Sequence, residues 1–358
     1  MWPDRRLLDL FGIEHPILLA PMAGAMDTGL AIAVAQGGGL GSLPVAMLDE
    51  AKMRAQIAAF RAATDRPVNL NFFAHTPPQL NNAREAAWRE RLKPYYAELG
   101  IDPAAPVPSS NRRPFDAALC AAVEDIKPEV VSFHFGMPDA ALVQRVKDAG
   151  CVVMGSATTV EEARWLEANG CDAVIAQGFE AGGHRGMFIS KDPALQVGTF
   201  ALVPQIVDAV KLPVIAAGGI GDARGIVAAL ALGASAVQIG TAYLVCPEST
   251  ILPPHRAALK TARDDGTAVT NVMSGRLARG IVTRVMRELG PISDAVPEFP
   301  LAAGALAPLH AKAQAQSSGD FSTMWAGQAA SLGREMPARE LTLMLAKEAQ
   351  ALLRRMAG

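Results

Sequence analysis

The most chemically suggestive stretch of the chain is AQGFEAGGHRG, which runs from Ala176 to Gly186. It follows the apolar run Ala173–Ile175, so it begins where a buried strand is expected to end. Glycines at a strand end let the backbone approach a ligand closely, and the adjacent His184 can exchange a proton near neutral pH. The stretch therefore predicts a ligand-binding loop that carries a proton-transferring histidine.

The surrounding sequence alternates between short apolar runs and helical patterns. We predict strands at Pro16–Met22, Leu40–Val45, Pro67–Phe73, Val130–Phe135, Cys151–Ala157, Ala173–Gly178, Pro213–Gly219 and Ala236–Thr241. Runs that are apolar throughout are typical of a parallel sheet buried on both faces. Eight strand–helix repeats favour an α/β fold, a (β/α)8 TIM barrel, over the alternative of an open doubly wound sheet.

Two segments interrupt this alternation. Residues 75–114 form a long insertion with a helical pattern and a proline-rich loop, and residues 246–329 read as helices and loops without further strands. The tail Met336–Met356 has the pattern of an amphipathic helix. We therefore predict a barrel at residues 1–245 completed by a C-terminal helix within 330–358. A smaller, mainly helical substrate domain at 246–329 is expected to be inserted after strand eight.

Composition excludes several classes of function. The 358 residues carry a formal net charge of −2 without a long basic run, which argues against nucleic acid or an anionic membrane as a partner. No membrane-spanning stretch or signal peptide is apparent, so a soluble, cytoplasmic protein is expected. The four cysteines are far apart, which favours reduced core thiols over disulfides or a metal site. A homodimer is compatible with the sequence, which does not determine the oligomeric state.

The ends of strands seven and eight predict a phosphate site. Gly218-Gly219 leads into a helix capped by Asp222, and Gly240-Thr241 ends the neighbouring strand. A single glycine pair usually makes only a tight turn. Two such turns beside a helix start present several N–H groups to an anion, as at the usual phosphate site of a barrel.

A flat phosphorylated cofactor is expected across the barrel mouth. FMN fits the small residues after strand one, an amide at Asn69 or Asn71, and Gln177, which is placed to reach the ribityl chain or the ring. Phosphorylated sugars use similar glycine turns and remain an alternative. His134, on strand four, faces the same mouth if the alternation of its strand holds, either as a second donor or as a structural residue.

Four stretches together resemble the nitronate monooxygenase family: APMAGAMD (20–27), AQGFEAGGHRG (176–186), AAGGIGDARGIVAALALGASAVQIGTAYL (216–244) and SGRLARG (274–280). The last of these and DFSTMWAGQAASL (320–332) resemble the bacterial class I branch in particular. The resemblance implies an FMN-dependent barrel that oxidises alkyl nitronates, such as propionate 3-nitronate, with dioxygen. The products would be carbonyl compounds and nitrite.

The resemblance also assigns residues. His184 matches the family's active-site base, and His134 is the candidate second catalytic residue. Residues that match the family's FMN contacts are Pro21, Met22, Ala23, Asn71, Gln177, Gly182, Gly219, Gln238, Ile239, Gly240 and Thr241, to which the strand-end argument adds Asn69, Gly183 and Gly218. Ser274 and Arg276 are expected where the second domain reaches back to the cofactor.

Other side chains have open roles at this stage. Arg185 is expected to bind an acidic substrate or to pair with Glu180, and His75 to act in a lid or as a loop donor. Candidates to line or close the pocket are Tyr95, Tyr96, Phe321 and Trp325. Loop or surface positions are expected for His15, His255 and His310.

Three other functions remain open. The nearest is an NADH-dependent quinone reductase or enoyl reductase on the same FMN barrel, although no further dinucleotide fingerprint is present. An enzyme resembling IMP dehydrogenase would need a reactive cysteine, and Cys246 has no evident activating neighbour; an aldolase would need a strand-end lysine, which is absent. The third is a protein that binds flavin without turnover.

Overall fold

The structure is a computed structural model that describes residues 2–104, 106–108 and 112–358. Its strands are β1 Ile17–Leu19, β2 Gly41–Pro44, β3 Val68–Phe73, β4 Val130–His134, β5 Val152–Ala157, β6 Ala173–Gln177, β7 Gly183–His184, β8 Val214–Ala217, β9 Ala236–Ile239, β10 Thr267–Thr270 and β11 Ala278–Ile281.

The helices are α1 Arg6–Phe11, α2 Thr28–Gln36, α3 Glu50–Ala63, α4 Asn82–Glu98, α5 Ala117–Ile126, α6 Ala140–Asp148, α7 Val160–Ala168, α8 Thr199–Ala209, α9 Ala223–Ala231, α10 Thr241–Leu244, α11 Pro253–Lys260, α12 Arg284–Leu289, α13 Ala302–Ala315 and α14 Ala338–Met356. Short 3-10 turns lie at Pro193–Leu195 and Ala330–Leu332.

Eight parallel strands form the barrel. The sheet order is β1-β9-β8-β6-β5-β4-β3-β2, and hydrogen bonds from Leu19 N to Leu40 O (3.0 Å) and from Leu40 N to Ile17 O (2.9 Å) close it. The predicted (β/α)8 barrel is confirmed. The predicted runs are longer than several of the strands because their last residues leave the sheet and form the barrel mouth.

Local chemistry explains where the helices begin. Asp222 accepts hydrogen bonds from Arg224 N and Gly225 N and so caps α9, as its sequence predicts. Thr159 caps α7 in the same way by accepting from Glu162 N. The barrel strands are buried along most or all of their length, and β3 is buried at every residue, which is the condition for a parallel sheet covered on both faces.

The C-terminal helix occupies the place of the barrel's eighth helix. Helix α14 packs against α2 and α9, which flank the strands β1 and β9. Thr342 of α14 contacts the buried Tyr243 hydroxyl at 2.8 Å, and Gly37 leaves the space for it. The chain thus returns to the barrel after the long segment that follows β9.

A second hydrophobic core lies beyond the barrel mouth. Helix α4, from the 75–114 insertion, packs on α13, where Trp88 Nε1 donates to Ala302 O (3.4 Å) and Tyr96 Oη donates to Ala305 O (2.6 Å). The insertion and the segment after β9 therefore share this core. The segment also contains β10 and β11, where we predicted helices and loops only. These four-residue antiparallel strands carry too little hydrophobic alternation to be recognised in the sequence.

The predicted domain boundaries at residues 245–246 and 329–330 stay a prediction. All four cysteines are buried and unbridged. Among the described residues, no helix is long and apolar enough to cross a membrane.

Candidate active site

A cavity of about 490 Å³ opens at the carboxyl ends of the barrel strands, where barrel enzymes place their active sites. Its size is in the range typical of small-molecule and cofactor sites. Predicted site residues in its wall are Pro21, Met22, Ala23, Asn71, His134, Gln177, Gly182, Gly183, His184, Gly218, Gly219, Gln238, Gly240 and Thr241. Four predicted residues are outside the wall: Asn69, Ile239, Ser274 and Arg276.

The histidine loop is held by the segment that follows the barrel. The two-residue strand β7 pairs antiparallel with β11, which sets His184 opposite Ala278 and Gly183 opposite Arg279. Arg185 N extends this pairing by donating to Leu277 O at 2.8 Å. The AQGFEAGGHRG and SGRLARG stretches, about 90 residues apart in the chain, therefore form one small sheet that fixes the position of His184.

A second set of contacts clamps the loop from the barrel side. The Gln177 amide accepts from Gly186 N (2.7 Å) and donates to His184 O (3.0 Å). His134 Nε2 lies 3.1 Å from the same carbonyl oxygen, and because that oxygen can only accept, Nε2 carries the proton. His134 Nδ1 then accepts from Ser156 Oγ at 3.1 Å. Both nitrogens of His134 are used inside the protein, so this geometry orients the loop.

His184 stands in an aromatic enclosure beside the cavity. Its ring meets those of Phe135, Phe299 and Trp325 edge to face, with centroids 5.9, 5.3 and 5.4 Å away. Nε2 lies 2.8 Å from Ser274 Oγ. Ser274 thus contacts the histidine, a contact that the sequence did not predict, and its predicted contact with the cofactor stays a prediction.

The environment keeps the active-site histidines neutral. Burial and, next, the positive charge of Arg112 hold the pKa of His184 well below its usual range. Burial lowers the pKa of His134 to about 4, with Arg276 and Arg185 contributing to the decrease. At pH 7 each ring therefore has one protonated and one unprotonated nitrogen.

Two arginines hold the surroundings of the histidine loop, and the predicted contact of Arg276 with the cofactor stays a prediction. The Arg276 guanidinium lies 3.9 Å from the centroid of the Phe135 ring and donates to Met187 O, so it supports the enclosure from behind. Arg185 is fully buried and donates to Gln177 O and Gln196 Oε1, both at 2.8 Å. It therefore braces the loop and is not in the cavity wall. Among the described residues it forms no salt bridge with Glu180, although the charge of Glu180 partly offsets the lowering of the Arg185 pKa by burial.

Another part of the cavity wall fits a phosphorylated cofactor. Gly218 and Gly219, both in the cavity wall, have φ angles of 110° and 71°, a backbone conformation that favours glycine. Turns of this kind can present backbone N–H groups to an anion. Thr241 Oγ1 accepts from Gly327 N (2.9 Å), and no contact among the described residues uses its hydrogen. Gln238 Oε1 is buried without a partner. These groups provide the backbone donors, hydroxyl and amide that a phosphate and a flavin ring require.

Glu180, which we did not predict as a site residue, shapes the same region. Its carboxylate accepts from Thr199 N (2.8 and 3.0 Å) and from Thr199 Oγ1 (2.8 Å), so it covers the N-terminus of α8. The N-terminus of α8 is therefore already occupied by a carboxylate and is not open to a phosphate.

Besides Glu180, three titratable wall residues were missed in the sequence. Arg112, His255 and His310 line the cavity, whereas we expected both of these histidines at loop or surface positions. His255 and His310 come from α11 and α13, and Arg112 from the insertion. Phe321 and Trp325 also line the cavity as predicted, whereas Tyr95 and Tyr96 lie in the second core.

The comparisons with known proteins identify the family. The sequence model of the family described as nitronate monooxygenase matches residues 4–348. The chain belongs to the nitronate monooxygenase family. A nitronate monooxygenase of Pseudomonas aeruginosa is 46% identical over 96% of this chain and 98% of its own. One from Paraburkholderia phytofirmans is 44% identical over 96% and 94%. The family predicted from the four sequence stretches is confirmed.

Solved structures agree with this placement. The nitroalkane oxidase of Streptomyces ansochromogenes superimposes with a TM-score of 0.88 at 37% identity, over 97% of this chain and 99% of that one. FabK of Thermotoga maritima gives a TM-score of 0.77 at 29% identity, over 100% and 99%. The chain is thus similar over its whole length to a protein that acts on nitro compounds.

Proposed function

We propose that this protein oxidises alkyl nitronates with dioxygen to carbonyl compounds and nitrite, using FMN bound at the barrel mouth. Its family and its likeness to a nitroalkane oxidase support this activity. The observation that carries the proposal is a neutral histidine, His184, fixed at the wall of a cavity that is also lined by the glycine turns at 218–219 and at 240. When bound, FMN accepts electrons from the substrate and passes them to dioxygen.

The chain's own residues would bind the cofactor and the substrate through different parts of the cavity wall. Backbone N–H groups at Gly219 and Gly240 and the Thr241 hydroxyl would hold the phosphate, and Gln238 and Asn71 would meet the polar groups of the flavin. His184 would face the nitro group and the α-carbon of the substrate. The aromatic enclosure around it excludes water, which strengthens electrostatic contacts to an anionic nitronate.

His134 and Gln177 would act by positioning. Both bond to the main-chain carbonyl of His184, so they fix the depth and angle at which its ring enters the cavity. Loss of either contact would move the ring while leaving the glycine turns intact.

The test measures oxygen consumption and nitrite release with propyl-1-nitronate. Wild-type protein is expected to turn over, and His184→Gln to lose about a hundredfold or more in kcat/KM while retaining FMN. His15→Gln is the matched control, because His15 is half-buried, with its Nδ1 shielded from solvent, but lies outside the cavity wall. Wild-type protein that carries FMN and releases no nitrite would refute the proposal.

One observation favours a second candidate, an FMN-dependent NADH:quinone or enoyl reductase. The similarity to FabK covers the whole chain. This candidate predicts that NADH, without oxygen, bleaches the bound flavin rapidly and that nitronates leave its spectrum unchanged.

A further inference from the structure

Ser274 has a contact with His184 that the proposed function does not explain. Its side chain is buried, and Oγ lies 2.8 Å from His184 Nε2 and 3.3 Å from Arg276 O. The residue sits in the turn between β10 and β11, where Gly275 N donates to Asn271 O at 2.8 Å. The turn is packed closely against residues 297–299, which fixes the hydroxyl.

Counting protons assigns the tautomer of the histidine. A serine hydroxyl has one hydrogen, and a carbonyl oxygen can only accept. The arrangement that satisfies both contacts has Nε2–H of His184 donating to Ser274 Oγ, and Oγ–H donating to Arg276 O. A neutral ring then has an unprotonated Nδ1, which no described residue contacts by a hydrogen bond. Since His184 lines the cavity, Nδ1 is the nitrogen available to a bound molecule.

We propose that Ser274 is a positioning residue: it fixes His184 as the Nε2–H tautomer, so that the unprotonated Nδ1 is the nitrogen that acts as a base when the substrate is an uncharged nitroalkane. This inference rests on the proposed function, because it supplies the nitronate on which that reaction acts. The unprotonated Nδ1 takes the proton from the α-carbon as the C–H bond breaks, and the bonding electron pair delocalises onto the nitro group. The product is a nitronate anion beside an imidazolium ion.

The contacts of His184 stabilise the nitronate anion and the imidazolium ion that the proton transfer produces. After the transfer, Nδ1–H can donate to a nitronate oxygen, while Nε2–H keeps its contact with Ser274. The anion also offsets the positive charge that the ring acquires close to Arg112. Without the serine, Nε2 loses its acceptor and either tautomer can form.

The first test compares two substrates in the FMN-loaded enzyme, uncharged 1-nitropropane and its anion propyl-1-nitronate. Ser274→Ala is expected to lower kcat/KM at least tenfold for 1-nitropropane and less than threefold for the nitronate. Ser274→Thr, which keeps the hydroxyl, should restore 1-nitropropane activity to within about threefold of wild type. Ser249→Ala is the matched control, because this buried serine donates to Leu244 O at 2.6 Å outside the cavity wall.

The second test reads the tautomer directly from ¹⁵N-histidine NMR spectra, with the His184 signals assigned by their loss in His184→Gln. Wild type is expected to show a protonated Nε2 and an unprotonated Nδ1, and Ser274→Ala a mixture of tautomers. A wild-type ring protonated at Nδ1, or equal losses with both substrates in Ser274→Ala, would overturn the inference. If wild type oxidises neither substrate, the proposed function fails instead, and the spectra still report on the tautomer.

Discussion

Gly182 marks the closest approach between the histidine loop and the segment that covers it. A Cβ atom at this position would lie 2.5 Å from Gly327 N, 2.6 Å from the Ala326 carbonyl carbon and 2.9 Å from Ala326 Cα. All three are backbone atoms, so Gly182→Ala can be accommodated only if the two segments separate. Restoring ordinary contact at about 3.5 Å requires a shift of roughly 1 Å.

The size of this shift determines how much stability and activity Gly182→Ala is expected to lose. Overpacking of this kind costs about 1–3 kcal/mol of unfolding free energy, and a displacement near 1 Å at an active site can cost about a hundredfold in rate. Gly182→Ala should therefore fold, show a modestly lower unfolding free energy, and lose one to two orders of magnitude in kcat/KM for a nitronate. The assays are denaturant unfolding and nitrite release.

A matched control separates stability from placement. Gly12 ends α1 with a φ angle of 69° and has open space around a built Cβ, so Gly12→Ala costs about 1–2 kcal/mol through backbone strain alone. Its kcat/KM should equal that of wild type. Full activity in Gly182→Ala, or the same loss of activity in both variants, would show that the contact between Gly182 and residues 326–327 does not position His184.

Two further predictions concern charge. Burial lowers the pKa values of His75, His134 and His255 in the folded protein to about 4. Histidines of the unfolded chain titrate near 6.5, so below that pH the unfolded chain binds more protons and is favoured. Each of these histidines should lower the free energy of unfolding by about 2 kcal/mol at pH 5 relative to pH 7. Equal denaturation curves at the two pH values would contradict this. Separately, Arg112→Ala should raise KM for propionate 3-nitronate about tenfold, because the variant loses about one charge-assisted hydrogen bond to the substrate carboxylate. KM for propyl-1-nitronate, which has no carboxylate, should not change. Arg113→Ala, an exposed neighbour paired with Asp116, is the control, and equal effects on both substrates would contradict a role in carboxylate binding.

The barrel could be predicted because its strands carry a strong local signal. Residues in a parallel sheet are buried on both faces, so each strand is an uninterrupted apolar run bounded by glycine, proline or capping residues. The same reasoning located the loop of His184, because a glycine pair at a strand end places the following histidine at the barrel mouth.

The contacts around that histidine could not be predicted in the same way. Strand β7 has two residues, which is too short for any periodicity, and its partner β11 lies about 90 residues further along the chain. The contact of Ser274 with His184 was therefore not predicted. His310 was expected at the surface because nothing in α13 shows that the insertion folds over it towards the barrel mouth.

The central claim is that this site takes electrons from nitronates. The most direct measurement mixes the FMN-loaded protein with propionate 3-nitronate without oxygen and records the flavin absorbance spectrum. We expect the absorbance of oxidised flavin to fall, and to return with nitrite release when air is admitted. An unchanged spectrum with the nitronate, together with rapid bleaching by NADH, would contradict that claim and favour the reductase.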